Sequence, residues 1–492
     1  MASTSHRAMV ASMTRGSAGD RRRIAAPRIA GGSWFARCPG AYTASGMGVA
    51  GGNPVASTAL ARGVTTPVDS TACDHPRCCI CGGGPAGMML GLLLARAGVP
   101  VMVLEKHGDF LRDFRGDTVH PSTLQILEEI GLRERFDRLP QRRVDQLSGI
   151  VGGRVQAIAD FRGLQPFGYL AFVPQWDFLN LLADAGRAYP AFDLRMRHAV
   201  TGLMRDGARV AGVRVDTPEG PVTVRADLVV ACDGRHSTVR TAAGLAPREF
   251  GAPMDVLWFA LPRAGDDPAE AFGIVERGRM LVLLDRGDYW QIAYLVPKGG
   301  ADALRAQPID AWRSDVAALA PFLSGRIAAL AGWDAVQTLS VQVNRLPRWH
   351  QPGLLCIGDA AHAMSPVGGV GINLAIQDAV ATANALALPL RAAAPLDESL
   401  LAAVQQRREW PVRTVQRVQL LVQQRLIGRV LQTDGAPPRI PPVLRWLLGF
   451  AAVRRLPARL IGYGLRPEHV HTPSADTPTG GVTRYTLPPD AG

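Results

Sequence analysis

Cys79-Ile80-Cys81-Gly82-Gly83-Gly84-Pro85-Ala86-Gly87-Met88 is the stretch of this sequence that decides its fold. Gly82, Gly84 and Gly87 have the spacing G-x-G-x-x-G, and the stretch lies between a short apolar run and an apolar helix. Gly82 permits a tight turn, Gly84 allows the backbone to approach a pyrophosphate, and Gly87 allows the helix to pack closely on the strand. Pro85 suits the first helical turn because its missing N–H would be unpaired there.

An acidic residue closes the next apolar run, Val101-Met102-Val103-Leu104-Glu105, which is followed by Lys106. A carboxylate at the tip of this strand is placed to accept hydrogen bonds from an adenosine ribose. The strand, helix and strand that begin near residue 76 therefore predict an α/β fold with a Rossmann-like dinucleotide-binding domain.

The formal net charge of +12 is concentrated in two segments. Residues 1–74 hold eight Arg and three Asp, and residues 401–470 hold twelve Arg and three acidic residues. The rest of the chain carries a small negative charge, which argues against nucleic acid as a partner. The basic C-terminal helices leave open a peripheral contact with anionic lipid or with a partner.

The cysteines and the apolar runs indicate the compartment. Cys78 and Cys81 have the spacing C-x-x-C, but no second Cys pair or His pair at metal spacing accompanies them. We therefore expect free thiols and no metal site. No apolar run approaches the roughly 20 residues of a membrane-spanning helix, so we expect a cytoplasmic protein.

Residues 1–74 are rich in Ala, Gly, Ser, Thr and Arg and lack sustained periodicity, so we expect a disordered basic extension. The apolar run after Arg21-Arg22-Arg23 is too short for a twin-arginine signal. An organellar transit peptide, or a start codon assigned too far upstream, would have the same composition.

The middle of the chain predicts two kinds of β structure. Residues 194–231 have the turns and alternation of a β-meander. Residues 250–345 alternate apolar and polar residues in short runs and predict a separate antiparallel sheet. A ligand-facing sheet and a purely structural sheet look alike in sequence.

Two further polar turns follow buried strands. Asp233-Gly234 is one, although Asp and Ser237 also cap ordinary surface turns. Gly358-Asp359 is the other, and it precedes the glycine-rich loop Pro366-Val367-Gly368-Gly369-Val370-Gly371. A helix that starts near Gly371 presents free N–H groups and a positive dipole end, which favour a bound negative charge.

The three motifs occur in the order found in the single-component FAD-dependent aromatic hydroxylases. Over about residues 76–390 the chain resembles this family of class A flavoprotein monooxygenases, which has the para-hydroxybenzoate hydroxylase fold. The resemblance implies an FAD-binding domain with an inserted antiparallel substrate-binding sheet and C-terminal helices. The expected segments are residues 75–249 for the first part of the FAD-binding domain with the meander, 250–345 for the substrate-binding sheet, 346–400 for the second part of the FAD-binding domain, and 401–492 for the helical region and tail.

The resemblance also implies which residues contact FAD. The first glycine loop would hold the pyrophosphate, Glu105 and Lys106 the adenosine, Asp359 the ribityl chain, and the second glycine loop the isoalloxazine edge. The expected cofactor contacts are Gly82, Gly84, Pro85, Ala86, Gly87, Glu105, Lys106, Arg115, Gln175, Val200, Asp233, Gly358, Asp359, Pro366, Gly368, Gly369, Gly371, Ile372 and Asn373.

The implied reaction is hydroxylation of an aromatic or similarly electron-rich small molecule. FAD, held without a covalent link, would be reduced by NAD(P)H, react with O₂ to a C4a-hydroperoxide and pass on one oxygen. NAD(P)H would dock transiently, since no second G-x-G-x-x-G with a following acid is present. No catalytic base emerges, because His120, His236 and His362 are each explained as loop or core histidines.

Three alternatives share the same FAD frame. A flavin-dependent halogenase would carry W-x-W-x-I-P, to which Trp290-Gln291-Ile292 is the nearest match and lacks the second Trp. A flavin-dependent reductase of C=C bonds and a non-enzymatic flavoprotein are the others. The substrate, the choice between NADH and NADPH, and the oligomeric state stay open.

Overall fold

The computed structural model describes residues 75–111, 118–151, 154–268, 273–276, 278–432 and 442–475. They lie within one compact unit, Ser70–Gly492. The predicted extension 1–74 and the predicted cofactor contact Arg115 lie outside the described residues.

The described strands are short and are spread along the chain. They are β1 (Cys78–Cys81), β2 (Val101–Glu105), β3 (Thr118–Val119), β4 (Arg142–Val144), β5 (Gln146–Val151), β6 (Arg154–Asp160), β7 (Leu170–Phe172), β8 (Phe192–Met196), β9 (Ala199–Asp206), β10 (Arg209–Thr217), β11 (Gly220–Arg225), β12 (Leu228–Ala231), β13 (Arg248–Glu249), β14 (Met254–Pro262), β15 (Gly273–Glu276), β16 (Arg279–Asp285), β17 (Tyr289–Pro297), β18 (Gln337–Leu339), β19 (Asn344–Arg345), β20 (His350–Gln351) and β21 (Leu354–Cys356).

The longest described helices lie in the C-terminal part. The α-helices are α1 (Pro85–Arg96), α2 (Pro121–Glu129), α3 (Arg133–Asp137), α4 (Gln175–Gly186), α5 (Thr238–Ala242), α6 (Gly300–Arg305), α7 (Ile309–Leu319), α8 (Gly371–Arg391), α9 (Glu398–Val422), α10 (Gly428–Gln432), α11 (Pro442–Leu448) and α12 (Ala451–Gly462). None of the helices in the described ranges is long and apolar enough to cross a membrane.

The first sheet is mostly parallel, with the strand order β20-β21-β12-β1-β2-β8. Its neighbouring strands are parallel except at β20, which pairs antiparallel with β21. Every residue of β1, β2, β12 and β21 is buried, as expected for a parallel sheet covered on both faces. The carboxyl ends of these four strands meet at one edge, where α/β folds bind ligands.

Helix α1 packs on this sheet through small residues and also contacts α4 and α8. A Cβ on Gly91 would lie 2.7 Å from Val103 Cγ2 and 3.0 Å from Phe192 Cε2. Because glycine has no side chain, helix and sheet approach closely, and the start of the helix is held against the carboxyl ends of the strands.

The second sheet confirms the predicted antiparallel layer. Its strand order is β18-β14-β17-β16-β15-β5-β6, and only the β15–β5 pair is parallel. Strands β5 and β6 come from before residue 249, so this sheet uses more of the chain than 250–345. One face packs on α7, where the Phe259 and Trp312 rings lie 5.0 Å apart.

The predicted meander over 194–231 is too long. Within this range, β9, β10 and β11 pair with one another in an antiparallel three-stranded sheet. Strands β8 and β12, at its two ends, belong to the parallel sheet. The reason is visible in β12, whose run Leu228–Ala231 is apolar at every position and is fully buried, whereas a meander strand alternates.

Candidate flavin site

The glycine turn between β1 and α1 is crowded on one side and open on the other. Gly82 has a φ of +110°, and a Cβ there would lie 2.5 Å from the carbonyl oxygen of Cys232. A Cβ on Gly87 would lie 2.0 Å from the carbonyl oxygen of Gly82, whereas a Cβ on Gly84 would meet no atom within 4 Å. The turn therefore requires glycine at two positions for its own packing and leaves space beside Gly84.

Helix α1 presents donors to that space. Its first intrahelical bond runs from Met88 N to the Gly84 carbonyl oxygen at 2.9 Å. The N–H groups of Ala86 and Gly87 have no acceptor inside the helix, and Pro85 contributes none. Two donors and the positive end of the helix dipole thus point at the carboxyl edge of the sheet, as a phosphate site requires.

The Glu105 carboxylate holds the turn as well as facing the site. Its Oε2 accepts a hydrogen bond from Gly83 N at 2.9 Å, and its Oε1 accepts from His107 N at 3.0 Å. His107 Nδ1 lies 2.5 Å from the same Oε1. These contacts were not predicted from the sequence, and they fix the carboxylate while Lys106 is exposed.

The segment containing Val200 lies beside this strand end. His198 N donates to the carbonyl oxygen of Glu105 at 2.9 Å, and Val200 follows at the start of β9. Gln175 begins α4 just after β7, which pairs with β3 at Thr118. Val200 therefore lies near the end of the Glu105 strand, and Gln175 lies near the strand that contains Thr118.

The turn at Asp233 caps α5. Asp233 Oδ2 accepts from Val239 N at 3.1 Å, and Ser237 Oγ accepts from Arg240 N at 2.9 Å. Burial raises the pKa of the Asp233 carboxyl, and hydrogen bonds from Ser237 and Val239 offset this only in part. Its Oδ1 is buried without a hydrogen-bond partner in the described part of the chain.

The buried Arg240 joins this turn to the next motif. Its Nη1 donates to the carbonyl oxygen of Ala360 at 3.0 Å, and its Nη2 donates to that of Arg235 at 2.7 Å. Arg235 Nη2 in turn lies 3.9 Å from Asp359 Oδ2. The Asp233 and Asp359 turns are therefore a single structural unit.

A buried ionic network supports the Gly358-Asp359 turn from behind. Asp378 Oδ2 accepts from Gly358 N at 3.1 Å and lies 2.6 Å from His362 Nε2. Arg408 Nε donates to Asp378 Oδ1 at 3.0 Å, and Arg408 Nη1 donates to Glu468 at 3.1 Å. Burial raises the pKa of the Asp378 carboxyl, but His362 and Arg408 outweigh this and leave it below its usual value.

The second glycine loop is tied down by Asn373. Its Oδ1 accepts from His120 N at 2.9 Å and from Thr123 Oγ1 at 2.7 Å, and its Nδ2 donates to the Thr118 carbonyl oxygen at 3.1 Å. A second Nδ2 contact reaches the Gly369 carbonyl oxygen at 3.4 Å. The buried Asn373 side chain thus links α8 to the start of α2 by hydrogen bonds.

The other residues of the second glycine loop lie next to Asn373 in sequence. Gly368 and Gly369 have φ values of +80° and +62°, which other residues rarely adopt. A Cβ on Gly371 would meet nothing within 4 Å, so the start of α8 borders open space. Pro366 precedes the loop and Ile372, partly buried against the first core, follows Gly371.

The three histidines near the motifs differ in their surroundings. His120 is fully buried, and its Nδ1–H donates to the carbonyl oxygen of Ile461 at 2.7 Å. Burial lowers its pKa to about 4, so the ring is neutral. His362 belongs to the network of Asp378, and His236 is exposed. Both buried rings are held by the protein itself.

The described cysteines are buried and unpaired. Cys78, Cys79, Cys81, Cys232 and Cys356 are free thiols in the strands and turns of the parallel sheet. Burial raises the pKa of the Cys356 and Cys232 thiols well above their usual value, so they are protonated packing residues.

The arrangement fits FAD. The described site offers helical N–H donors beside an open position at Gly84, a carboxylate at the tip of the second strand, a buried unpaired oxygen on Asp233, and the open start of α8. All of them lie at the ends of neighbouring strands or in the loops that follow, which is where a dinucleotide binds in an α/β sheet.

Comparisons with known proteins agree with this geometry. Residues 76–418 match the family described as FAD binding domain. The chain is 32% identical over 403 residues to 6-methylpretetramide 4-monooxygenase of Streptomyces rimosus, covering 79% of this chain and 93% of that protein. It is 28% identical over 380 residues to rifampicin monooxygenase of Streptomyces venezuelae, covering 76% of each chain.

A solved structure supports the fold. A probable FAD-dependent monooxygenase from Pseudomonas aeruginosa superimposes with a TM-score of 0.63 at 23% identity, over 73% of this chain and 98% of that one. The chain belongs to the FAD-binding-domain family of FAD-dependent monooxygenases. The predicted family, fold class, cofactor FAD and enzyme class are confirmed.

Proposed function

We propose that this enzyme uses NAD(P)H and O₂ to hydroxylate an aromatic small molecule, with FAD held without a covalent link. The observation that carries the proposal is the convergence of the glycine turn, Glu105, the Asp233 turn and the Asp359 turn at one edge of the parallel sheet. The five described cysteines are free thiols, which is the state expected of an enzyme in the reducing environment of the cytoplasm.

Each part of the site would hold one part of FAD. The α1 start would bind the pyrophosphate through N–H groups, Glu105 with the Val200 segment would hold the adenosine, and Asp359 the ribityl hydroxyls. The loop before α8 would border the isoalloxazine. The proposed contacts in the described residues are Gly82, Gly84, Pro85, Ala86, Gly87, Glu105, Lys106, Gln175, Val200, Asp233, Gly358, Asp359, Pro366, Gly368, Gly369, Gly371, Ile372 and Asn373.

FAD would supply the redox chemistry, in which NAD(P)H delivers electrons, O₂ adds to give the C4a-hydroperoxide, and one oxygen passes to the ring. The protein would position the reactants and exclude water. The start of α8 would stabilise negative charge on the flavin edge through its dipole and free N–H groups. Asn373 would fix the distance of this helix start from the Thr118 segment.

The second sheet supplies an apolar wall next to the loop. Val367 packs against the same apolar cluster as Trp258, Met280 and Val282, which lie on the sheet face away from α7. The buried members of this cluster are Met254, Val256, Ala293, Leu295, Val341 and Ile427. We therefore propose an uncharged aromatic ring as the substrate, since an apolar wall favours a ligand without a carboxylate.

The experiment is a screen of neutral phenols and heteroaromatic compounds for stimulation of NAD(P)H oxidation by the FAD-loaded enzyme. We expect a neutral ring compound to accelerate the oxidation, while benzoates of the same size leave it unchanged. Stimulation by carboxylated rings alone would contradict the proposal that the substrate is an uncharged ring. Failure of every ring compound with fully FAD-loaded protein would contradict the proposed reaction.

A further inference from the structure

Helix α11 carries its apolar face in solvent. Val443, Trp446 and Leu447 recur at the helical spacing i, i+3 and i+4, and Phe450 follows two residues after the helix end; the four side chains are 68%, 65%, 36% and 48% exposed. The Trp446 and Phe450 rings form an edge-to-face pair with centroids 4.9 Å apart. An amphipathic helix normally buries such a stripe, so this one, which we call the α11 stripe, lacks a partner in the described chain.

Hydrogen bonds and packing fix the turn between α11 and α12 against the rest of the protein. Arg454 Nη1 donates to the carbonyl oxygens of Leu448 at 2.6 Å and Gly449 at 2.9 Å, and its Nη2 lies 3.8 Å from Asp160. Ala458, one turn further along α12, is fully buried in a cluster with Phe161 of the segment after β6. The second sheet therefore holds α12 firmly and leaves the α11 stripe facing outward.

The chain segment that carries the stripe has charge of one sign. Residues 442–466 contain five Arg and no Asp or Glu. Arg455 and Arg459 on α12 are exposed, and Leu456 between them is 73% exposed. The surface thus combines apolar and aromatic side chains with exposed arginines.

The combination of apolar and positively charged side chains favours one kind of binding partner over the others. A second copy on a two-fold axis would bring two sets of arginines together, which like-charge repulsion disfavours. Nucleic acid would neutralise the arginines but leave the apolar stripe uncovered. An anionic lipid surface satisfies both features, because apolar side chains enter the acyl boundary while guanidinium groups meet the phosphates.

We propose that the α11 stripe and the adjoining arginines of α12 dock the enzyme on membranes rich in anionic phospholipid. Trp446 and Phe450 enter the headgroup boundary, where aromatic side chains are favoured. Arg455 and Arg459 contact lipid phosphates. This property goes beyond the proposed reaction, since no residue of the stripe belongs to the candidate flavin site.

The test is sedimentation of the full-length, FAD-loaded protein with lipid vesicles. We expect binding to vesicles of phosphatidylcholine mixed with phosphatidylglycerol and little binding to phosphatidylcholine alone, with the bound fraction falling as salt is raised. The double variant Trp446→Ala/Phe450→Ala should lower affinity for anionic vesicles by at least about tenfold, because two large apolar contacts are removed. The matched control is Trp410→Ala, a 56% exposed Trp on α9, and it should bind like the wild type.

A second variant tests the charge independently of the apolar contacts. Arg455→Gln/Arg459→Gln should weaken binding to anionic vesicles and leave binding to neutral vesicles unchanged, and FAD content serves as the check on folding. Equal binding to both vesicle types, equal loss in the Trp410 control, or sedimentation of the wild type as a dimer that the stripe variant converts to monomer would each overturn the proposal.

Discussion

Arg240 Nη1 donates a hydrogen bond of 3.0 Å to the carbonyl oxygen of Ala360, joining two turns that are 120 residues apart. The same guanidinium donates to the carbonyl oxygen of Arg235 at 2.7 Å. The turn that follows β12 and the turn that follows β21 are therefore held in one geometry by a single buried side chain. Because Asp233 and Asp359 lie in these turns, their separation depends on Arg240.

Arg240→Met removes these donors while keeping much of the side-chain volume. We expect a loss of about 1–3 kcal/mol in the free energy of unfolding, because one buried and one partly buried carbonyl oxygen lose a charged donor. Weaker FAD binding should accompany it, measured by fluorescence titration of apoprotein. Arg187→Met, at an exposed residue that pairs with Asp184, is the control and should change neither value. Unchanged stability and FAD affinity in Arg240→Met would show that the two turns hold their positions without this residue.

Removal of either predicted carboxylate should weaken FAD binding. Glu105→Ala deletes an acceptor that also holds Gly83 N at 2.9 Å, and Asp359→Ala deletes the partner of Arg235. Each should raise the FAD dissociation constant by an amount equivalent to about 1–3 kcal/mol. Wild-type FAD affinity in both variants would show that neither carboxylate contributes to FAD binding. Acid precipitation should release all yellow colour from the protein, and colour retained on the pellet would contradict non-covalent binding.

His120 should make the protein less stable in acid. Its pKa is about 4 in the folded protein against an ordinary value of 6.5, so the unfolded chain binds the proton more tightly. Stability is therefore unaffected by this group above pH 6.5 and falls as pH drops towards 4, by about 3 kcal/mol in total. His120→Asn keeps a donor for the Ile461 carbonyl oxygen but does not titrate.

Urea denaturation at several pH values between 6.5 and 4 measures this effect. The wild type should lose stability more steeply than His120→Asn across that window, while the exposed His236→Asn should follow the wild type. Parallel curves for the wild type and His120→Asn would contradict the buried, neutral state of His120.

The proposed domain boundary before the first strand predicts a tolerated truncation. The family match begins at residue 76 and β1 begins at Cys78. A chain lacking residues 1–73 should keep the FAD content and the melting temperature of the full-length protein. A soluble but colourless truncated protein would place part of the FAD domain before residue 74.

The sequence predicts the parallel sheet and its ligand edge well, because the determinants are local. Gly82, Gly87 and Glu105 lie within one strand–helix–strand unit, and their spacing alone requires the turn that the structure shows. The strands of the second sheet that lie within 250–345 were also predicted from their alternation, whereas β5 and β6 were not. Strands β8 and β12 were assigned to the meander because they adjoin it in sequence, whereas their partners β2 and β1 lie in a distant segment.

The supports of the site were not predictable, because they depend on contacts between distant segments. Asp378, Arg408 and Glu468 form a buried network across three parts of the chain, and each would look like a surface charge in its helix or tail. Arg240 lies shortly after the recognised Asp233-Gly234 turn, but nothing local shows that its guanidinium reaches Ala360. The strand order brings Arg240 to Ala360, and the packing of α8 on α9 brings Asp378 to Arg408.

The fate of oxygen tests the central claim most directly. The FAD-loaded enzyme, a ring compound that stimulates NAD(P)H oxidation and isotopically labelled O₂ should give a product that has gained one labelled oxygen atom, with little H₂O₂ released. Turnover without O₂ that saturates a double bond, chlorine in the product when halide is present, or an oxygen atom that comes from water would each contradict the assignment of this chain as an aromatic hydroxylase.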